Sequence, residues 1–318
     1  MPTIPVILDV DTGVDDALAI LFAVKHPAIE VLAITCVAGN ASLEQVVENT
    51  LKILDAADAP AIPVAAGATR PLIEPARSAS HVHGEDGLGG IQLPPTDRVA
   101  ETVSAVELMR RTIMDAERPV TLVALAPQTN LALLLRTHPE VAEKLERIVF
   151  MGGSASVGNA TAVAEFNVWH DPEAAAIVLD SGVPTLMYGL DVFNQVAVEQ
   201  DAAAALAAGD DPVGRVVGAL LGNRIALSED STAEYTGLIG DAGAVCALVE
   251  PESLRIEHRP VRIELGGYGR GQTLVDMRLF GGEDIVHGLA DEWATIDIAL
   301  DVDAPRYAEL FLETLGLK

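Results

Sequence analysis

The stretch Ile4-Pro-Val-Ile-Leu-Asp9-Val-Asp11-Thr-Gly13-Val-Asp15-Asp16-Ala-Leu-Ala19 decides the reading of this chain. Its apolar start predicts a buried strand over Ile4 to Asp9, and Val14 to Lys25 follows with helical character, so a tight turn around Gly13 joins the two. Asp9, Asp11, Asp15 and Asp16 all fall on that junction. One Asp there is an ordinary cap or turn residue. Four so close repel one another unless a cation sits among them, and an all-oxygen donor set suits a hard divalent ion. The position agrees, because open α/β sheets place their ligands beyond the carboxyl ends of strands.

Working outward, strand and helix signals alternate. Strands are expected at Glu30 to Val37, Ala61 to Ala65, Val120 to Ala126, Arg147 to Met151 and Pro184 to Leu190. Helices are expected at Leu43 to Ala57, Thr102 to Ala116, Gln128 to Arg136 and Pro172 to Ser181. Such alternation means βαβ units on a mainly parallel sheet with helices on both faces. The last third is mixed: a helical, alanine-rich Asp201 to Leu227, a strand pair at Val261 to Leu265 and Thr273 to Arg278, a strand at Trp293 to Val302 and a terminal helix at Ala304 to Leu315. No linker or repeat divides residues 1–318, so one large α/β domain is expected. The least regular segment, Ala66 to Asp97, carries His81, His83, Glu85 and Asp86, and loops that long are more often functional than idle.

The 318 residues are 50% hydrophobic but only 4% aromatic, so the core is built from Ala, Val, Leu and Ile. The net charge of −27 argues against nucleic acid or anionic lipid as partners. Cys36 and Cys246 sit in apolar runs and read as buried thiols of a reducing compartment. With no signal-peptide pattern and no long apolar span, a cytoplasmic protein is expected.

The other polar candidates also follow strand ends. Asn40 comes after the second strand, and Asn159, Glu165, Asn167 and Asp171 after the strand ending at Met151. Asp191 and Asn194 follow Leu190, and Asp241 lies in Leu238-Ile-Gly240-Asp-Ala-Gly243. On a parallel sheet these segments share one edge. Amides, carboxylates and a cation suit a polyhydroxylated ligand such as a sugar. No Walker sequence or Arg cluster offers a phosphate cradle. A haloacid-dehalogenase-type phosphatase also opens with a strand and Asp-x-Asp, but Gly13 stands where that pattern has Thr or Val, and a second Asp pair follows.

Asp9-Val-Asp-Thr-Gly-Val-Asp-Asp-Ala-Leu-Ala19 resembles the signature of the inosine-uridine-type nucleoside hydrolases. The resemblance continues through Ala38-Gly-Asn40, His81-Val-His-Gly84, Thr129-Asn130, Met151-Gly-Gly153, Glu165-Phe-Asn167 and Asp171-Pro-Glu-Ala174. It implies a Rossmann-like open sheet and hydrolysis of the N-glycosidic bond of ribonucleosides with a tightly held Ca²⁺. It implies Asp11 as general base and calcium contact, Asp16 and Asp241 as further calcium carboxylates, the Leu125 carbonyl as a ligand and Asp9 as support. Asp15, Asn40 and Asn167 resemble the residues that hold the ribose 2′- and 3′-hydroxyls. Asn159 and Glu165 resemble the 5′-hydroxyl contacts, and Met151 the residue beneath the sugar. His81 is taken as the substrate-facing histidine. A homodimer or homotetramer is implied as well.

One departure stands out. Many members of the family have His before the last calcium aspartate, where it can protonate the leaving base, and here that position is Gly240. Trp169, His81, His170 and Tyr235 are the candidates to compensate. The alternative is a nucleoside- or ribose-binding protein with weak hydrolysis.

Overall fold

Strand β1 (Ile4–Val10) sends its side chains alternately into two cores. Val6, Leu8 and Val10 enter one and Ile7 the other, as the period-2 geometry of a strand requires. The same alternation recurs in β4 (Val120–Ala124) and β5 (Leu145–Met151), where Val123 and Val149 face the first core and Leu122, Ile148 and Phe150 the second. The first core is closed by helices Val14–Lys25, Leu43–Ala56, Ala242–Val249 and Ala304–Thr314. The second is closed by Ala105–Asp115, Thr129–Thr137 and Pro172–Leu179. The sheet is therefore sandwiched between two helical layers.

This computed structural model describes residues 3–229, 237–289 and 292–317, with 224–229 described by backbone alone. The remaining strands are β2 (Ile29–Cys36), β3 (Val64–Ala66), β6 (Thr185–Tyr188), β7 (Ala197–Val198), β8 (Gly237–Leu238), β9 (Leu254–Ile263), β10 (Thr273–Val275) and β11 (Ala294–Val302). Among the described residues nine strands form one sheet in the order β10-β9-β11-β6-β5-β4-β1-β2-β3, and β7 pairs with β8 apart from it. Neighbours from β3 to β6 and on to β11 are parallel, while β9 and β10 are antiparallel. The chain runs from β1 outward to β2 and β3, then returns to β4 on the other side. That reversal opens a crevice between the carboxyl ends of β1 and β4, where doubly wound sheets bind ligands. Among the described residues no helix is long and apolar enough to cross a membrane.

Several expected boundaries move for local reasons. The third strand begins at Val64 rather than Ala61, because Pro63 can offer its carbonyl to Ile34 but has no N–H for a ladder. The helix expected from Thr102 begins at Ala105, where the Ser104 hydroxyl accepts from the Glu107 N–H at 3.3 Å. Asp201 to Leu227 is two helices, Gln200–Ala208 and Pro212–Glu229, separated at Gly209-Asp-Asp-Pro212. Strand β9 starts seven residues before the expected Val261, so its exposed first half hides its alternation.

Phe22 and Phe311 stack at 6.2 Å between centroids and are fully buried, tying the first long helix to the last. Phe311→Ala is expected to lower stability by about 3–5 kcal/mol. Urea denaturation checks this as a fall in midpoint at unchanged slope.

Candidate active site

The crevice is built from the ends of β1, β2, β4 and β5 and from the loop after β3. Helix Val14–Lys25 starts at Gly13, so its first-turn amides point into the cluster. The Asp16 carboxylate accepts from the Gly13 N–H at 3.0 Å and from the Asp11 N–H at 3.2 Å. Asp11 accepts from the Asn40 backbone N–H at 2.7 Å and from its side-chain amide at 3.1 Å. The same amide reaches Asp16 at 3.2 Å. Asn40 thus bridges two carboxylates. Gly39 permits this approach, since a Cβ there would lie 2.0 Å from an Asp11 oxygen.

Asp9 lies one layer deeper. One of its oxygens accepts from Thr35 at 2.6 Å and from Asn130 at 2.8 Å, while Oδ2 is buried without a hydrogen-bond partner. Asn130 also donates to the Cys36 carbonyl and accepts from Ala68 N–H, so it joins β1, β2 and the loop after β3. Burial pushes the Asp9 carboxyl up to about 7 against the pull of Asn130 and Thr35. Burial, reinforced by the neighbouring Asp16 charge, raises Asp11 well above the usual carboxylate range. Asp16 is raised by burial too, although the Gly13 N–H opposes it.

Above this floor opens a cleft of about 430 Å³. Asp15, Asn40, His81, Leu125, Met151, Asn159, Glu165, Asn167, Trp169 and Asp241 line it, so the sequence-based substrate residues come together here. Asp9, Asp11 and Asp16 are buried beneath. Asn167 donates to the carbonyls of Leu125 and Met151 at 3.0 and 3.1 Å. Glu165 caps the short helix Phe166–His170 and also accepts from Gly153 N–H at 2.9 Å. Burial raises its carboxyl despite those amides. Asn159 accepts from Phe166 N–H at 2.8 Å. Arg77 stacks over Trp169 at 4.9 Å from the ring centroid.

Other candidates serve the scaffold. Asp171 accepts from Ala174 N–H, Leu72 N–H and the Thr129 hydroxyl. Asp191 holds Ser154, Ala155 and Ser156, and Asn194 is exposed at the end of helix Leu190–Phe193. His170 is buried away from the cleft wall, and burial pushes its imidazole down to about 4. Tyr235 lies outside the described residues.

Sequence reasoning passed over His83. His81 is exposed at the rim, whereas His83 is buried in the cleft wall and its Nδ1 accepts from Val14 N–H at 3.3 Å. The two share the short helix Ser80–His83, whose turn sends positions two apart to different sides. Gly84 after His83 was the available signal, marking a tight turn at φ +76°.

The donors fit a hard cation in kind: carboxylates of Asp11, Asp16 and Asp241, the Leu125 carbonyl and the unpartnered Asp9 oxygen nearby. They are not gathered as a closed cage, and among the described residues no three His, Cys, Asp or Glu side chains are so arranged. Like charges turn instead to amides, Asp11 and Asp16 to Asn40 and the helix start, and the Leu125 carbonyl to Asn167.

Residues 6–309 match the inosine-uridine preferring nucleoside hydrolases. The chain belongs to this family. It is 38% identical over 315 residues to the pyrimidine-specific ribonucleoside hydrolase RihA of Citrobacter koseri, covering 98% of each chain. Among solved structures it is similar to a plant nucleoside hydrolase, PpNRh1, with TM-score 0.90, 29% identity and 99% of each chain covered. It is also similar to a purine-preferring ribonucleoside hydrolase from Gardnerella vaginalis, with TM-score 0.89, 30% identity and 98% of each chain covered. The chain is an enzyme of the N-glycosyl hydrolase class that acts on ribonucleosides, in a metal-dependent family.

Gly240 is held at φ +59°, and a Cβ there would lie 2.6 Å from Asp15 Oδ1 and 2.8 Å from Asp15 Cβ. A histidine at 240 therefore meets a strained left-handed backbone and a clash to which Asp15 must yield. Gly240→Ala is expected to destabilise the protein by about 1–3 kcal/mol through the left-handed backbone and the crowding of Asp15. A lower urea midpoint than wild type is the check.

Proposed function

We propose that this hydrolase is calcium-dependent and that Asp11 accepts the proton of the attacking water. The observation that supports this most is the buried carboxylate cluster beneath a cleft lined with amides, at the sheet's reversal point. Asp11, Asp16, Asp241 and the Leu125 carbonyl would hold Ca²⁺. Once bound, the ion supplies charge that orients a water and eases its deprotonation. Asp11 is suited to the base role by position: it directly follows β1 in the buried floor beneath the cleft, oriented by two hydrogen bonds from Asn40. Asp15, Asn40 and Asn167 would hold the ribose 2′- and 3′-hydroxyls, and Asn159 and Glu165 the 5′-hydroxyl. Met151 would pack beneath the sugar, with Asp9 steadying the floor. These carboxylates also favour the oxocarbenium-like charge that develops as the glycosidic bond breaks. Trp169 and His81 would border the rest of the substrate.

With Gly240 unable to donate a proton, His83 takes that part in this reading. Its Nδ1 accepts from Val14, so a neutral ring carries its proton on Nε2. The 38% identical relative is named pyrimidine-specific, which makes uridine and cytidine the first substrates to expect.

A reducing-sugar assay over uridine, cytidine, inosine and guanosine should show ribose release that a calcium chelator abolishes and added Ca²⁺ restores. Asp11→Ala should lower kcat by at least about two orders of magnitude. Near-normal turnover by that variant would reject Asp11 as the base.

His83→Ala should lower kcat on nucleosides by about 10²-fold or more yet spare p-nitrophenyl riboside, whose leaving group needs no proton. Equal loss on both would remove His83 from the donor role. Calcium and nucleoside binding by wild type with turnover of neither substrate class would favour the binding-protein reading.

A further inference from the structure

The loop after β5 carries both residues assigned above to the 5′-hydroxyl, Asn159 and Glu165, and it is held from the edge strand β10. Glu165 Oε2 accepts from Gly153 N–H at 2.9 Å. The next residue, Ser154, is held by one side chain on both of its backbone groups. The Thr273 hydroxyl accepts from Ser154 N–H at 2.8 Å and donates to the Ser154 carbonyl at 2.6 Å. Ser154 and Thr273 are each 4% exposed, so little water reaches either bond. In the sheet β9, β11 and β6 stand between β10 and β5. No strand ladder therefore joins Thr273 to this loop, and the hydroxyl makes the join instead.

The fit is close enough to set the turn. Gly153 sits at φ +68°, and a Cβ there would lie 2.6 Å from Thr273 Cγ2 and 3.0 Å from Met187 Sδ. The left-handed turn that glycine permits aims the Gly153 N–H at Glu165, while its carbonyl accepts from Leu190 N–H at 3.0 Å. The same hairpin touches the far end of the loop. Arg270 meets Glu173 through both terminal guanidinium nitrogens, at 2.7 and 2.9 Å, and a Cβ at Gly271 would lie 2.6 Å from Trp169 Cα. The hairpin thus reaches the chain before Asn159 through Thr273, and the chain after Glu165 through Gly271 and Arg270. Asp191 adds a second hold on the near side, accepting from Ala155 N–H at 2.7 Å and from the Ser156 hydroxyl at 2.6 Å.

We propose that Thr273 is a positioning residue for the hydrolysis: its hydroxyl fixes the Gly153-Ser154 turn and, through the Gly153 N–H, the Glu165 carboxylate that would hold the 5′-hydroxyl of the ribose. The inference rests on the 5′-hydroxyl assignment made above. Thr273 acts through the turn and not on the substrate. Removing its hydroxyl leaves a buried N–H and a buried carbonyl unpartnered, and the turn shifts to satisfy them, taking its hold on Glu165 with it. A substrate that has no 5′-hydroxyl loses nothing by that shift.

The test compares whichever common ribonucleoside is cleaved best with its 5′-deoxy counterpart, in wild type, Thr273→Val and Thr273→Ser. Wild type should favour the 5′-hydroxylated substrate in kcat/KM by at least about tenfold. Thr273→Val keeps the shape and removes the hydroxyl, so it should lose about tenfold on that substrate and less than about twofold on the 5′-deoxy one. Thr273→Ser keeps the hydroxyl and should retain the wild-type preference. Equal loss on both substrates, or an undiminished preference in Thr273→Val, overturns the inference and leaves the 5′-hydroxyl assignment standing. A wild-type chain that does not distinguish the pair overturns the assignment and the inference together. Thr273→Ala is read in the same way if Thr273→Val does not fold.

Discussion

The structure turns on holding Asp9, Asp11, Asp15 and Asp16 together in a nearly dry floor. Taking a carboxylate out of water disfavours its charged form, and each neighbour of like sign adds to that. The sign for stability follows. Asp9, raised from 3.8 to about 7, contributes stability below its unfolded value and loses it as pH climbs through the folded one. Near neutrality the cluster therefore works against the fold unless something positive meets it. The protein answers with partial charges: the first-turn amides of helix Val14–Lys25, the Asn40 amide shared by Asp11 and Asp16, and the Asn130 amide on Asp9. Those dipoles meet part of the need. They leave the Asp9 Oδ2 unpartnered and three carboxyls raised. A bound metal ion would remove the remainder, which is how an oxygen-rich floor and a metal-dependent family belong together.

Much of this was legible from the chain, for a physical reason. Strands buried on both faces read as apolar runs, and helices such as Leu43–Ala56 and Ala105–Asp115 show one apolar stripe, so β1, β2, β4, β5 and β6 and the helices between them are legible. Sheet order was less accessible, because the reversal between β3 and β4 leaves no mark on either strand. The mixed last third was harder still. In β9, Arg255, Ile256 and Glu257 stand before the buried half, and β7 and β8 are two residues each. A strand that short carries no period.

The site divided along the same line. Residues at or just beyond strand ends are placed by the sheet, so Asp11, Asn40, Leu125 and Met151 converge, and Asn167, on the helix Phe166–His170, is tied to them through the Leu125 and Met151 carbonyls. Residues in the long loop after β3 are placed by tertiary packing. His81 and His83 look equivalent in the sequence, and the choice between them rests on which one packs against Gly13. A Cβ at Gly13 would come within 2.7 Å of the His83 ring. Two glycines, 13 and 240, thus leave room for His83 and Asp15 respectively by what they lack.

That pairing changes how the departure at Gly240 should be understood. Gly240 sits in the left-handed region, where a Cβ would run close against Asp15. A histidine there meets both the left-handed backbone and the Asp15 side chain, so restoring the ring by substitution costs stability. In the proposed mechanism proton donation to the departing base then falls to another side chain. The cleft lining holds an imidazole, His83, whose Nδ1 accepts from the Val14 N–H, so a neutral ring carries its proton on Nε2. Catalysis of this kind asks for a proton within reach of the base and sets no condition on which loop supplies it.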